Sequence, residues 1–198
     1  MYGPDLRRRS TLGVVDGKPI FARPTGIAIG PNGHVFVADT TSCSITELTA
    51  GGIVVRVIGR RGSGEGEFNY PTEVAVARDR RLWVLDSMNA RLQVFDPDGR
   101  FLRQFGRRGN GTGDFDKPKG IAFDADGHVY VADAMHDVVQ IFDEEGRLLL
   151  VFGGSGAAPG QFSLPSAIHI DGGNGVYVAD ALNNRVQVFQ YVRQRDAH

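Results

Sequence analysis

Four aspartates recur at a constant interval of 47 residues, and two of them are followed five residues later by arginine. The aspartates are Asp39, Asp86, Asp133 and Asp180, and the arginines are Arg91 and Arg185. A ring of carboxylates could act in acid–base catalysis. A short carboxylate at a strand end also accepts backbone N–H groups and pairs with arginine. We interpret these six residues as structural and predict no catalytic residue.

Motifs for metal binding are incomplete in this sequence. The D-x-D-G segments at 96–99 and 124–127 resemble calcium loops, but they have neither the third acidic ligand nor the terminal glutamate of an EF-hand loop. We therefore predict tight turns at both places. The single cysteine, Cys43, excludes an internal disulfide and a cysteine-based zinc site. We predict no bound metal and no cofactor.

The histidines do not form a ligand set either. His34 and His128 share one repeat position, but they belong to copies that are not adjacent, so they cannot bind the same ion. His169 replaces an alanine that the other three copies carry at that position. A lone histidine of this kind is typically a hydrogen-bonded core residue, and we expect that of His169.

The elements that position these residues follow from the repeat itself. Each of the first three copies contains four short runs rich in β-branched and aromatic residues, separated by turn-forming residues. A period near 47 residues with strand-like content predicts an all-β propeller, each copy forming one four-stranded antiparallel blade. We call the strands of a blade a, b, c and d. The repeats span about 21–67, 68–114, 115–161 and 162–192.

Composition agrees with this interpretation and excludes some functions. Glycine accounts for 27 of 198 residues, as many tight turns require. No apolar run reaches the 18–20 residues of a membrane-spanning helix. The net charge of −1 argues against a dedicated nucleic-acid binder. The first ten residues lack the apolar segment of a signal peptide, so we expect a cytoplasmic protein, or a periplasmic or extracellular one if a longer precursor exists.

Closure of the propeller depends on the two ends of the chain. The last copy has no clear strand d, whereas residues 7–13 resemble an additional strand of that type. We predict that 7–13 pairs with the last blade, which would make 1–198 a single domain without exposed sheet edges. Alternatively, subunits combine, or the four copies are part of a six-bladed propeller.

The repeat resembles the NHL repeat in several motifs. It has P-x-G-[IV]-A at 118–122, G-x-V-Y-V-A-D at 127–133, a close match at 178–189 (VADALNNRVQVF) and F-G-x-x-G-x-x-x-G-x-F at 152–162. The chain is similar in particular to bacterial NHL proteins, which usually form six-bladed propellers. The family includes protein-binding platforms, RNA readers, sensor domains and a lyase branch, so the resemblance implies the fold better than the function.

The lyase branch of that family uses zinc held by histidines from several blades, together with a catalytic tyrosine and arginine. In this chain the positions after the repeated prolines carry Thr25, Thr72, Lys119 and Ser166, with no histidine. We therefore favour a non-enzymatic binding scaffold over a metal-dependent lyase-like enzyme. RNA binding is less favoured, because aromatic residues suited to base stacking are not interleaved with the basic ones.

The loops between strands b and c, and between strands d and a, emerge on one face of the predicted propeller. The b–c loops differ most between copies, and sequence variation within a fixed frame is where recognition is expected. The candidates on this face are Cys43, Arg60, Arg61, Met88, Arg107, Arg108, Met135, His136 and Asn183. We expect a protein or peptide partner, with self-association if four blades do not close. In the core, we predict that Trp83 is buried between blades.

Overall fold

The computed structural model describes residues 11–191, which form four small antiparallel sheets arranged as the blades of a β-propeller. A short hairpin, β1 (Val14–Val15) and β2 (Lys18–Pro19), precedes the blades. Blade 1 consists of β3 (Pro24–Ile29), β4 (Val35–Asp39), β5 (Ser44–Leu48) and β6 (Val54–Ile58). Blade 2 consists of β7 (Pro71–Val76), β8 (Leu82–Asp86), β9 (Arg91–Phe95) and β10 (Phe101–Phe105), with a 3-10 turn at Ser87–Asn89.

Blade 3 consists of β11 (Pro118–Phe123), β12 (Val129–Asp133), β13 (Val138–Phe142) and β14 (Leu148–Gly153). Blade 4 contains three strands in the described part of the chain: β15 (Pro165–Ile170), β16 (Gly175–Asp180) and β17 (Arg185–Gln190). Within each blade the strands pair in chain order, from strand a to strand d in blades 1 to 3 and from strand a to strand c in blade 4. The predicted all-β propeller of antiparallel blades is confirmed.

Strand b shows why the sequence folds in this way. In blades 2 and 3 it lies between strands a and c and has a blade on each face, so β8 and β12 are buried along their whole length. A strand that is buried on both faces has a continuous apolar sequence, such as LWVL in β8 and VYVA in β12. The outer strand d of blade 3, in contrast, is largely exposed.

The predicted tight turns of the D-x-D-G segments are present. The Oδ1 atom of Asp96 accepts the backbone N–H groups of Asp98 and Arg100 at 2.9 and 2.8 Å. Gly99 closes this turn with a φ of +80°, which favours glycine. Asp124 accepts the N–H groups of the corresponding residues in the turn between β11 and β12.

Consecutive blades pack against one another, face to face. We call the side of a blade towards the next blade in sequence its following face, and the opposite side its preceding face. Strands a of neighbouring blades are in contact, β3 with β7, β7 with β11 and β11 with β15. Trp83 lies on the following face of blade 2 and packs against Phe105 and Phe123, with ring centroids 5.8 and 5.5 Å apart. It is fully buried, which confirms the prediction.

The two terminal blades each leave one face exposed in the described part of the chain. The preceding face of blade 1 exposes Ile27 and Ile29, and the following face of blade 4 exposes Val186 and Val188. The prediction for His169 is wrong: it lies exposed on the following face of blade 4, with its ring 6.3 Å from Tyr177, because no described blade covers that face.

The predicted closing strand falls mainly on residues 7–10, outside the described residues. Leu12, the second described residue, packs with Phe21 against the preceding face of blade 1 at Val35, Val37 and Leu48. Pairing of residues 7–13 with blade 4 therefore stays a prediction. None of the helical structure in residues 11–191 is long and apolar enough to cross a bilayer.

Candidate functional site

The repeated aspartates fix the loops of the b–c and d–a face. Asp86 accepts the backbone N–H of Asn69 at 2.7 Å, and it binds Nδ2 of Asn89 and Nε of Arg91, each at 2.8 Å. Asp180 binds the corresponding groups of Ser163, Asn183 and Arg185 in blade 4. Asp39 and Asp133 also accept backbone N–H groups from the chain ahead of strand a. These contacts support the structural interpretation of the aspartates.

The arginine of each pair extends this network into the preceding d–a loop. Besides Asp86, Arg91 donates to the carbonyl oxygens of Ser63, Gly64 and Glu67 at 2.8–2.9 Å. Arg185 makes the equivalent three bonds to Ala157, Ala158 and Gln161. A guanidinium with fixed donors is suited to such multiple carbonyl contacts. Strand c of blade 2 thereby holds the d–a loop that leads into blade 2. Strand c of blade 4 likewise holds the d–a loop that leads into blade 4.

A glutamine in strand c completes this arrangement, and the sequence analysis missed it. In blade 2, Gln93 accepts the N–H of Gly66 at 2.9 Å and donates to the carbonyl of Glu67 at 2.7 Å. The same pair of bonds is made by Gln140 and Gln187 in the next two blades. The signal was present, since these glutamines are also 47 residues apart. We refer to each aspartate and glutamine, with its arginine where present, as a loop clamp.

The b–c loops, which begin at the repeated aspartates, carry a row of exposed apolar side chains. Met88, Met135 and Leu182 occupy the same position of successive b–c loops and are 46%, 53% and 62% exposed. Thr41 takes this position in blade 1. Leu182 was not among the predicted site residues, although the repeat marks it. Side chains that stay exposed on rigidly held loops form a preorganised contact surface.

The other predicted residues of this face take different roles. Cys43 is fully buried and its Sγ lies 3.5 Å from the carbonyl of Thr40, so it cannot contact a partner. The burial follows from its place at the end of the b–c loop, where Ala90 is also buried. Asn183 donates to Asp180 and to the carbonyl of Gly156, so its side chain links the b–c loop to the d–a loop and is not free to bind a partner.

The basic residues of the d–a loops are largely neutralised by acidic neighbours. Arg60 binds Glu67, Arg107 binds Asp114 and Arg108 binds Asp116, with N–O distances of 2.6–3.0 Å. The guanidinium of Arg107 is the main reason why the pKa of Asp114 lies below its ordinary value. Arg61 and Arg108 also donate to the carbonyls of the b–c loops, at Thr41 and Met88. The face is thus salt-bridged and carries little net charge.

His136 is the remaining candidate, and it lies between the loop and the core. Its Nδ1 is 2.9 Å from Oδ2 of Asp133. Its Nε2 is buried and has no hydrogen-bond partner among residues 11–191. His136 therefore stabilises the end of β12 and presents little of its surface to a partner.

The opposite face, formed by the a–b and c–d turns, contains a cavity of about 360 Å³. Trp83 and Phe123 form part of its apolar wall, and its charged rim includes Arg81. Arg81 is paired with Asp79 and Glu144. The lining also includes Arg78 and three further aspartates, Asp124, Asp126 and Asp171, so the rim is acidic.

A group of three residues beside this cavity could hold a cation by distance alone. Asp124, Asp126 and His128 have ligand atoms within 4.8 Å of one another. The Asp124 carboxylate, however, already accepts two backbone N–H groups, binds Nδ1 of His128 at 2.8 Å and accepts the Tyr130 hydroxyl at 3.2 Å. These bonds occupy its lone pairs, so the group is explained as a turn.

Two family models match parts of the chain. The NHL repeat matches residues 21–47, and a family described as a 6-bladed beta-propeller matches residues 76–140. These matches confirm the resemblance to NHL-repeat propellers. Among curated proteins, none matches the sequence.

Solved structures that resemble the chain are propellers with different functions. A streptogramin B lyase superposes with a TM-score of 0.64 at 16% identity, over 86% of this chain and 52% of its own. A gluconolactonase from Xanthomonas campestris gives 0.67 at 22%, over 87% and 60%. The WD40 repeats of RRP9 give 0.61 at 18%, over 85% and 51%. The chain thus spans about half the length of these proteins, and such identities establish the fold alone.

Proposed function

We propose that this propeller is a non-enzymatic scaffold that binds a protein or peptide segment on its b–c and d–a face. The observation that carries the proposal is the row formed by Met88, Met135 and Leu182. Three large apolar side chains at one repeat position, exposed to this extent, are a feature of interaction surfaces. The flexible, polarisable thioethers of the two methionines fit irregular partner surfaces.

The surroundings of the row favour an apolar segment as the bound partner. Because the arginines beside it are paired with carboxylates, electrostatic attraction adds little to binding at physiological salt. Asp86 and Asp180 bind Asn89 and Asn183 within the b–c loops. Loops held in this way lose little conformational entropy on binding. A partner that inserts apolar side chains between successive b–c loops would use both properties.

The experiment selects peptides from a displayed random library on the wild-type protein and then measures their affinity for two variants. The first variant carries Met88→Asp, Met135→Asp and Leu182→Asp, and we expect it to bind the selected peptides at least tenfold more weakly, about 1.4 kcal/mol. The matched control carries Asp98→Lys and Glu145→Lys, two exposed charges in the c–d turns of the opposite face. We expect the control to bind like the wild type.

Melting temperatures of both variants should stay within a few degrees of the wild-type value, because all five side chains are exposed. Equal affinity of the peptides for the first variant and the wild type, or loss of binding only in the control, would assign recognition to another surface.

A further inference from the structure

The exposed faces of the terminal blades have the composition of a protein core. On blade 1 the preceding face presents Ile27 and Ile29, 66% and 71% exposed. On blade 4 the following face presents Val186 and Val188, 62% and 61% exposed. Aliphatic side chains of neighbouring residues rarely remain this exposed on a sheet face without a partner.

The repeat shows what these positions do elsewhere in the same molecule. Val186 corresponds to Val139, Leu92 and Ile45, which are all fully buried against the next blade. Ile27 corresponds to Val74 and Ile121, which are buried against the preceding blade. The two exposed faces are therefore the two halves of an interface that the chain already forms three times.

The close approach of strands a also bears on the exposed face of blade 4. A Cβ on Gly120 would lie 2.9 Å from the backbone nitrogen of Ile168, so strands a of blades 3 and 4 approach backbone to backbone. Ala167 takes the equivalent position in blade 4 and is exposed, and its Cβ excludes an approach as close as that at Gly120. Blade 2 carries the larger Glu73 at this position, and its strand a still packs on that of blade 3. A further strand a can therefore pack at Ala167 with the wider spacing of blades 2 and 3.

The start of the described chain already supplies part of a neighbouring blade. Leu12 packs on Val35, Val37 and Leu48 of blade 1. Ile58, the last residue of strand d in blade 1, packs in the same manner on the equivalent residues of blade 2, Leu82, Val84 and Phe95. Leu12 thus occupies the place of the final residue of a strand d that belongs to a preceding blade. Blade 4, where only strands a to c are described, is the kind of blade that such a strand completes.

We propose that a second copy of this chain covers these faces head to tail. The following face of blade 4 in one copy packs on the preceding face of blade 1 in the next. Leu12 of the second copy then lies at the place where strand d of blade 4 in the first copy would end. The contact is heterologous, because it joins two different faces, so further copies can add until a ring closes or a filament forms. This association is independent of the proposed peptide-binding face.

Sedimentation velocity of the full chain over a wide concentration range tests the proposal. We expect the wild type to form species heavier than the monomer, with a fraction that rises with concentration. The pair Val186→Glu and Val188→Glu disables only the blade 4 face, and the pair Ile27→Glu and Ile29→Glu disables only the blade 1 face. Each variant alone should be monomeric, because burying an unpaired carboxylate in the interface is strongly unfavourable.

Mixing the two variants gives the decisive measurement. The blade 4 variant keeps its blade 1 face, and the blade 1 variant keeps its blade 4 face. A head-to-tail contact between these two intact faces predicts a 1:1 heterodimer. The heterodimer cannot grow, because both of its outer faces carry the glutamates. Leu102→Glu, which changes an exposed leucine on the outer strand β10, is the matched control and should associate like the wild type. A wild-type chain that is monomeric at all concentrations would overturn the proposal, as would association of either variant alone or the failure of their mixture to pair.

Discussion

Blades 2 and 4 carry the same loop clamp in different surroundings. In blade 2 the Asp86–Arg91 pair has a blade on each side, and the Arg91 side chain is 8% exposed. In blade 4 the Asp180–Arg185 pair has a described neighbour on one side only, and the Arg185 side chain is 30% exposed. Arg91 also donates to Oε1 of Gln104 in strand d at 2.6 Å, whereas no strand d is described in blade 4. The other hydrogen bonds are shared, so the difference between the blades comes from the strand and the blade that cover the pair.

The two aspartates respond to this difference in opposite directions. Burial raises the pKa of Asp86, and the bonds from Asn89, Asn69 and Arg91 offset that effect only in part. Burial also acts to raise the pKa of Asp180, but bonds from Ser163, Asn183 and Arg185 outweigh it, so the pKa lies below its ordinary value. Similar contacts therefore leave the pKa raised in Asp86 and lowered in Asp180, because the neighbouring blade determines how far each carboxylate is removed from water.

The largest effect should come from the aromatic residue of strand b. Trp83→Ala leaves a cavity between blades 2 and 3 and should lower the free energy of unfolding by roughly 3–5 kcal/mol. The equivalent change in blade 4, Tyr177→Ala, removes an exposed ring and its hydrogen bond to Asp171, and should cost the monomer about 1 kcal/mol. Urea unfolding of both variants, at a protein concentration low enough to keep the chain monomeric, gives the two values. Equal losses in the monomer would mean that another part of the same chain covers Tyr177.

The second comparison removes the arginine from the two clamps that have one, in blades 2 and 4. Arg91→Ala leaves the buried Asp86 without its cation, and we expect a loss of about 3 kcal/mol. Arg185→Ala acts on a more hydrated pair, and we expect about 1 kcal/mol. Arg147→Ala, which breaks an exposed pair with Asp143, is the control and should leave thermal and urea unfolding nearly unchanged. A larger loss for Arg185 than for Arg91 would contradict the role given to the neighbouring blade.

Strand a of blade 2 contains Glu73, whereas strand a of blade 4 has Ala167 at the same repeat position. This difference should have a smaller effect on stability, and one that depends on pH. Burial raises the pKa of Glu73 from 4.5 to about 7. The unfolded chain therefore loses this proton at a lower pH than the folded one, and stability falls as the pH rises from 4.5 to 7. Glu73→Gln should remove this dependence. The full shift corresponds to roughly 3 kcal/mol, and because Glu73 is only partly buried we expect stability at pH 8 to rise by about 2 kcal/mol. Wild-type and variant stability curves that run parallel with pH would show that Glu73 ionises freely.

The repeat made most of the fold predictable. The constant spacing of Pro24, Asp39 and their equivalents marks the ends of the strands, so blades, turns and the structural role of the aspartates follow from the sequence. The burial of Trp83 follows from the same register. Leu182 and the clamp glutamines could have been found by comparing every position of the repeat across the four copies.

What the sequence did not reveal depends on neighbours outside each repeat. Tyr177 aligns with buried aromatic residues and His169 with partly buried alanines, yet both are exposed because the described chain has no blade beyond them. Cys43 belongs to a variable loop, but the loop folds back so that its last residue enters the core. A repeat pattern assigns each residue to a face, whereas exposure depends on whether another layer covers that face.

The loop clamp has a consequence for how such a chain can change in length over evolution. The bonds from Gly66 to Gln93, from Gly113 to Gln140 and from Gly160 to Gln187 each join residues 27 positions apart. Each clamp thus links one d–a loop to the next strand c, within a single span of 47 residues. Duplication of that span inserts a new blade together with both halves of its clamp, and deletion removes both halves. Blade number can therefore change through one recombination event without a newly evolved interface.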